Sequence, residues 1–148
     1  MYSIAYYNSY MKVQTKGFSL IELLVVIAII GLLVAVAMAG LNIAREKARD
    51  TRRIQDINEI KKALSIYLIS SNAFPIALTS TTLTGEDPVS LDLIGSGAFS
   101  TIPLDPLNPT YTYDYISNSD GTDYTLSFCL ETDSISNYSE GCGNTISP

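Results

Sequence analysis

A single carboxylate lies close to the start of the most apolar segment of the chain. Glu22 follows Phe18-Ser19-Leu20-Ile21, and residues 23–41 contain no charged or polar side chain. An ionised carboxylate at membrane depth costs about 3 kcal/mol or more unless a cation lies beside it, so Glu22 is the first candidate for a functional group. Two interpretations are open: Glu22 reaches water at the membrane interface, or it pairs with a cation at the same depth.

Two sources of positive charge lie near Glu22 in the sequence. Lys16 is six residues before it, at the expected edge of the membrane. If the chain is cut between Gly17 and Phe18, the new α-amino group of Phe18 lies four residues before Glu22. We expect such an amine to neutralise Glu22 of the same chain or of a neighbouring helix.

The rest of the composition argues against an enzyme or a DNA-binding protein. The 148 residues include no His, no Trp and two Cys, and the formal net charge is −6. His is the commonest general base and metal ligand, two Cys are too few for a Cys₄ zinc site, and negative charge disfavours nucleic acid. Asp120 and Asp123 beside Gly121 allow a calcium interpretation, but their spacing does not match an EF-hand and Asp-Gly is common in turns. We predict no catalytic residue, metal site, cofactor or direct contact with nucleic acid.

The apolar segment has the length of a membrane-spanning helix. At about 1.5 Å per residue, residues 23–41 span roughly 28 Å. The helical pattern continues beyond them as one apolar stripe with the charges elsewhere, formed by Leu41, Ala44, Ala48, Ile54, Ile57, Ile60, Leu64 and Leu68. We predict one helix over 18–70, transmembrane over 18–41, amphipathic over 42–70 and ended before Pro75. A removable secretory signal has a shorter apolar core and does not continue into an amphipathic helix.

Residues 75–148, called the head below, change to a composition of loops and strands. Apolar residues alternate with polar ones in two runs separated by Asn118-Ser119-Asp120-Gly121, namely Tyr111, Tyr113 and Tyr115, then Tyr124, Leu126, Phe128 and Leu130. This pattern predicts a hairpin whose apolar face packs on the stripe of residues 57–68, and residues 90–94 are a candidate short helix. The fold class is therefore α+β, a long N-terminal helix packed against a small antiparallel sheet.

The two cysteines lie near the C-terminus. Cys129 and Cys142 enclose a 14-residue segment, and a bridge across it would contribute about 3 kcal/mol in the chain-entropy model. A disulfide suits a loop-rich, extracytoplasmic head with little core of its own. The alternative is two unrelated thiols.

The segment Lys16-Gly17-Phe18-Ser19-Leu20-Ile21-Glu22-Leu23-Leu24-Val25-Val26 resembles the processing site of type IV prepilins and type II secretion pseudopilins. The resemblance implies that a membrane prepilin peptidase cuts after Gly17 and methylates Phe18, and that Glu22 is the assembly carboxylate. It further implies that the subunits leave the bilayer through an inner-membrane assembly platform and pack their helices into a filament core. The close resemblance covers residues 16–70.

Two departures from the family pattern concern the leader and the helix. Many members have a proline in the second half of the apolar helix, whereas this chain has none between Phe18 and Ser71. Residues 1–17, the predicted leader, are longer than usual, and a start at Met11 would give an ordinary leader of seven residues. We hypothesise that the true start is Met11.

The charges that flank the apolar segment disagree with the other features of the sequence about the orientation of the chain in the membrane. Seven basic residues follow the apolar segment, all within 45–62, whereas ten acidic and no basic residues lie beyond Lys62. The positive-inside rule alone would place the head in the cytoplasm. The family resemblance and the cysteines favour the opposite orientation, with a cytoplasmic N-terminus and an extracytoplasmic head.

These features predict a structural filament subunit, single-pass in the cytoplasmic membrane before assembly and then part of a cell-surface or periplasm-spanning filament. The cysteine loop favours a pilin over a pseudopilin, because many type IV pilins display such a loop. We also predict that the basic segment 45–62 of one subunit faces the acidic head of another. The alternative is a membrane-tethered extracellular binding module that does not polymerise.

Overall fold

The computed structural model describes residues 17–148. Lys16, the remainder of the predicted leader and the alternative start at Met11 lie outside the described residues. The chain divides into two compact units, one ending at Ala39 and the other formed by Gly40–Pro148. Both units take residues from the first helix.

Helix α1 extends over Leu20–Ser71. It ends where Asn72 adopts a φ of 57°, a left-handed conformation that Asn tolerates, and the Asn72 N–H donates to the Leu68 carbonyl at 2.8 Å. Pro75 follows three residues later and cannot continue a helix. The N-terminal part is apolar enough to cross a membrane, with a mean hydropathy of 3.1 over its most apolar 18 residues and no buried side chain among them.

The C-terminal unit contains a four-stranded antiparallel sheet in the order β1-β2-β3-β4. The strands are β1 (Thr81–Thr82), β2 (Asp114–Ser117), β3 (Tyr124–Leu130) and β4 (Gly141–Ile146), and helix α2 (Pro88–Gly95) lies between β1 and β2 in the sequence. The α+β class is therefore confirmed, as is the hairpin, in which Tyr115 of β2 pairs with Leu126 of β3. Of the three tyrosines predicted for this strand, Tyr111 and Tyr113 lie before β2 rather than within it.

One face of the sheet packs against helix α1. The buried cluster contains residues of the helix stripe, including Ile57, Ile60 and Leu64, together with the aromatic side chains of β2 and β3. Tyr115 and Tyr124 stack with their ring centroids 5.7 Å apart. Burying a side chain of this size contributes about 1.5–3 kcal/mol, so this interface supplies the main core of the unit.

The turn between β2 and β3 is fixed against the loop that leaves helix α1. The Phe74 N–H donates to the Gly121 carbonyl at 2.8 Å, and Gly121 has a φ of +61°. A Cβ at this position would lie 2.8 Å from the Phe74 carbonyl oxygen. Glycine is therefore required here by both conformation and space.

Candidate functional sites

Gly17, Phe18 and Ser19 form a short non-helical segment directly before helix α1. All three are exposed, and Phe18 retains 82% of its accessible surface. A peptidase binds its substrate in an extended form, so a peptide bond outside the helix is open to attack. The bond between Gly17 and Phe18, predicted as the processing site, lies in this segment.

Glu22 accepts a hydrogen bond from the start of its own helix. The Ser19 N–H donates to Glu22 Oε2 at 2.9 Å, and the Ser19 carbonyl accepts from the Leu23 N–H at 3.3 Å. Ser19 is thus the N-cap residue and Glu22 the third helical residue, as in a capping box. The interpretation of Glu22 as a charge that needs a cation leaves out this cap, although Ser-x-x-Glu before an apolar run is a capping signal in the sequence. The carboxylate is consequently held at the end of the helix where a new terminus at Phe18 would lie.

A second cluster of charges lies inside the C-terminal unit, around Arg53. This guanidinium is fully buried and donates twice to Asp105, from Nε at 2.7 Å and from Nη2 at 3.0 Å. Its Nη1 donates to Asp50 at 2.8 Å and to Glu131 at 2.5 Å. Arg53 therefore joins helix α1, the loop before β2 and the segment after β3 in one ionic network.

The carboxylates of this network have further partners. Asp50 accepts from the backbone N–H groups of Glu131 and Thr132 at 2.9 Å, and from the Thr132 hydroxyl at 2.8 Å. Glu131 also binds Arg49 with both carboxylate oxygens, including a 2.7 Å contact from Nε. Within residues 17–148, no buried side-chain polar atom lacks a partner. Such full satisfaction is what makes a buried charge network tolerable.

The network shifts the acidity of its members. Hydrogen bonds from Arg49, and then from Arg53, lower the pKa of Glu131 to about 2 against the opposing effect of burial. Burial opposes the charge of Arg53, but the hydrogen bonds that its guanidinium donates to Asp105, Glu131 and Asp50 raise its pKa overall. Both groups are therefore ionised at any physiological pH.

Asp56 is a neighbouring buried carboxylate with the opposite behaviour. Burial raises its pKa, and the hydrogen bond that the Tyr113 hydroxyl donates at 2.8 Å opposes this only in part. The pKa of Tyr113 is raised by burial and by the adjacent carboxylate. Asp56 is consequently a group whose charge the folded protein bears at a cost.

The buried charges correct the predicted helix pattern. The sequence pattern predicts that the charges lie off the apolar stripe and that the basic segment 45–62 faces the head of another subunit. Arg49 and Arg53 instead face inward and bind carboxylates of their own chain. Two of the partners, Asp105 and Glu131, lie 52 to 82 residues downstream, so helical periodicity carries no information about them. Lys61 donates to the Ser147 carbonyl at 3.1 Å, and the exposed basic residues that remain are Arg45, Lys47, Arg52 and Lys62.

Cys129 of β3 and Cys142 of β4 form a disulfide. The disulfide closes a loop of residues 131–140, called the cysteine loop below. The first residue of this loop, Glu131, belongs to the ionic network around Arg53. Asp120 and Asp123 lie in the β2–β3 turn, where they accept hydrogen bonds from Ser119 and Tyr124. In the described part of the chain no group of three or more Cys, Asp or Glu side chains is arranged to hold a metal ion.

Residues 13–38 match the family model of the prokaryotic N-terminal methylation motif. The chain is 29% identical over 106 residues to a type II secretion system core protein G of Aeromonas hydrophila, covering 68% of this chain and 73% of the relative. It is 28% identical over 106 residues to the protein of the same name from Vibrio cholerae serotype O1, covering 70% and 72%. No solved structure matches the chain.

The N-terminal methylation motif, the long apolar helix and the small antiparallel sheet together give the chain a pilin-like α+β fold. The resemblance to the type IV pilin and type II secretion pseudopilin family is confirmed. Both relatives that support it are named type II secretion system core protein G. These findings support a pilin or pseudopilin filament subunit, anchored in a membrane by its N-terminal helix.

Proposed function

We propose that this chain is a structural subunit of a type IV pilus-like filament, without enzymatic activity. A prepilin peptidase would cut it between Gly17 and Phe18 and methylate Phe18, and the mature chain would assemble through helix α1. The observation that carries the proposal is the arrangement at the N-terminus: an exposed, non-helical Gly17-Phe18 bond directly precedes an apolar helix with Glu22 in its first turn.

The cap on helix α1 supports a role for Glu22 in assembly. The capping hydrogen bond uses Oε2, and Oε1 forms no hydrogen bond with another residue in 17–148. An α-amino group at Phe18 would lie next to the capping donor, Ser19, on the same end of the helix. A carboxylate already held there needs little reorganisation to neutralise that amine, on its own chain or on a neighbour.

The apolar part of helix α1 supports assembly through helix packing. Its large side chains are exposed along the whole first unit, for example Leu20 at 79% and Val36 at 70%. An apolar surface of this size is stable only in contact with lipid or with other apolar helices. We propose that the chain begins in the cytoplasmic membrane and exchanges lipid for neighbouring helices in the filament.

The disulfide supports an extracytoplasmic head, since such bonds persist mainly in oxidising compartments. We propose a cytoplasmic N-terminus and a filament on the cell surface or spanning the periplasm. The names of the two relatives favour a type II secretion pseudopilin. The disulfide-closed cysteine loop favours the second candidate, a type IV pilin.

The proposal is tested by the intact mass of the protein from its native membrane or filament, under non-reducing conditions. The expected chain begins at N-methyl-Phe18 and is two hydrogens lighter for the bridge between Cys129 and Cys142. A full-length chain with free thiols would refute processing and orientation together, in favour of a tethered binding module. Deletion of the gene then distinguishes a pseudopilin from a pilin, because a pseudopilin mutant loses protein secretion and a pilin mutant loses surface fibres.

Charge and capping by Glu22 can be separated by two variants. Glu22→Gln keeps a side-chain oxygen for the Ser19 N–H but removes the charge, whereas Glu22→Ala removes both. We expect neither variant to form filaments, and only the alanine variant to show faster amide exchange in the first turn of helix α1. Wild-type assembly by Glu22→Gln would show that the carboxylate acts as a cap and not as a charge.

A further inference from the structure

Two exposed arginines, called the basic face below, lie on one side of helix α1, where Arg52 also borders a groove that Asp56 and Glu59 of the same helix line. Arg45 and Arg52 are both exposed, and among residues 17–148 the salt bridges are formed by Arg49 and Arg53 alone. Seven residues are almost two helical turns, so the two side chains lie about 20° apart around the helix and roughly 10 Å apart along it. They therefore present two guanidinium groups in one direction.

Exposed acidic residues lie on a different side of the same unit. Asp133 and Glu140 of the cysteine loop, with Glu46 of helix α1 and Tyr111, line a cleft of about 540 Å³. Glu46, one residue after Arg45, is rotated from it by about 100°. The cleft and the basic face thus occupy different faces of one chain.

We propose that the basic face of one copy, Arg45 and Arg52, docks on the acidic cysteine loop of a neighbouring copy. This inference rests on the proposed filament function and names the contact that holds adjacent heads. Contact between two different faces of identical subunits is heterologous, and its repetition builds an open helical assembly rather than a closed dimer.

Charge complementarity selects a second copy as the occupant. The head contains ten acidic residues and no basic one, so neighbouring heads in a filament repel unless positive charge from another source lies between them. Arg49 and Arg53 are consumed inside their own chain, which leaves Arg45 and Arg52 as exposed cations aligned on one face. An anionic lipid surface would also attract these arginines but would leave the acidic cleft unpaired.

The contact is expected to be weak for each pair and effective by repetition. Exposed ion pairs contribute about 0–1 kcal/mol each and are screened beyond about 10 Å at 0.1 M salt. Every subunit in the filament would use both of its faces, so the contribution accumulates along the fibre. Filaments should accordingly shorten as the salt concentration rises from about 0.05 M to about 0.5 M.

The test reverses the charges on each face in the full-length chain and counts filaments from the producing cells. The basic-face variant is Arg45→Glu/Arg52→Glu. Its matched control is Lys47→Glu/Lys62→Glu, which changes the net charge equally at exposed helix positions at least about 80° away from that face. The rescue variant adds Asp133→Arg/Glu140→Arg to the basic-face variant. Thermal unfolding of each purified chain checks that the head is intact.

We expect the basic-face variant to lower the filament yield at least tenfold, the control less than twofold, and the rescue variant to restore at least half. Equal yields from the basic-face variant and the wild type would overturn the inference. So would loss without rescue, accompanied by weaker binding of the monomer to phosphatidylglycerol vesicles, which would assign the arginines to lipid. Glu22→Ala is included in parallel as a variant that is expected to form no filaments. Absence of filaments from the wild type itself would refute the proposed function.

Discussion

Replacing Arg53 by methionine should destabilise the head more than any substitution of an exposed helix residue. Asp50 would keep its backbone and hydroxyl donors, and Glu131 would keep Arg49. Asp105 would lose both guanidinium bonds and retain only the Leu107 N–H, although it is just 5% exposed. Breaking one side of a buried ion pair costs about 3–5 kcal/mol. Total stabilities are about 5–15 kcal/mol, so this is a large share of the total.

The loss should depend on pH in a defined direction. In the wild type, the pKa of Glu131 is lowered from 4.5 to about 2. That shift corresponds to about 3 kcal/mol of stability, present above pH 4.5 and lost as the pH falls through about 2. In Arg53→Met, Glu131 keeps Arg49, the larger cause of its lowered pKa, but loses the hydrogen bond from Arg53. Its pKa therefore rises part of the way back towards 4.5, so the variant has less stability to lose in acid than the wild type. The difference in the free energy of unfolding between the wild type and Arg53→Met should therefore become smaller below pH 4.5.

The assay is urea unfolding of the full-length chain in detergent at pH 7 and pH 3, followed by tyrosine circular dichroism. Arg52→Met is the control, because Arg52 is exposed and forms no salt bridge within the described residues; it should cost less than about 1 kcal/mol. The double variant Arg53→Met/Asp105→Leu should recover at least half of the loss, since it also removes the stranded carboxylate. A cost below about 1 kcal/mol for Arg53→Met, or one independent of pH, would refute this account of the network.

Three further predictions concern the head. Gly121→Ala should cost about 1–3 kcal/mol, because alanine must adopt a positive φ and its Cβ would meet a carbonyl oxygen at 2.8 Å; Gly143→Ala, with open space around it, should cost under about 1 kcal/mol in the same denaturation assay. Cys129→Ser/Cys142→Ser should lose about 3 kcal/mol, and reductant should lower the thermal midpoint of the wild type but not of this variant. Asp56→Asn should be at least as stable as the wild type at pH 7, since its raised pKa marks a cost of charge that is present above that pKa and relieved in acid; an advantage that persists at pH 3 would contradict this.

Local features of the fold were accessible from the sequence. Apolar periodicity, the turn at residues 118–121 and Pro75 predicted a helix over 18–70 and a hairpin, and the structure has Leu20–Ser71 and the paired strands β2 and β3. These signals act over a few residues, which is why they are legible without a structure. The Ser19 to Glu22 cap was equally local and was missed because only its charge was considered.

The ionic network was not accessible, because its information lies in pairings across the chain. Nothing near Arg53 distinguishes it from Arg52, yet one is fully buried and the other exposed. The distinction arises only when Asp105 and Glu131 are brought to the helix by the loop before β2 and by strand β3. Periodicity assigns charged residues to the solvent by default, and that default fails where several opposite charges meet.

The sequence separation of Arg53 and Glu131 also sets a minimum time, during synthesis of the chain, before the two residues can pair. The two residues are 78 positions apart, and bacterial and eukaryotic ribosomes add about 5–20 residues per second, so the arginine waits roughly 4–16 s for this partner. Until strand β3 and the segment after it are synthesised, Arg49 and Arg53 lack Glu131, and the apolar stripe of helix α1 lacks most of the sheet that covers it. Packing of the head on helix α1 therefore cannot be completed before residue 131 is synthesised. A chain halted before that residue would expose the apolar stripe of the helix to chaperones or to the membrane.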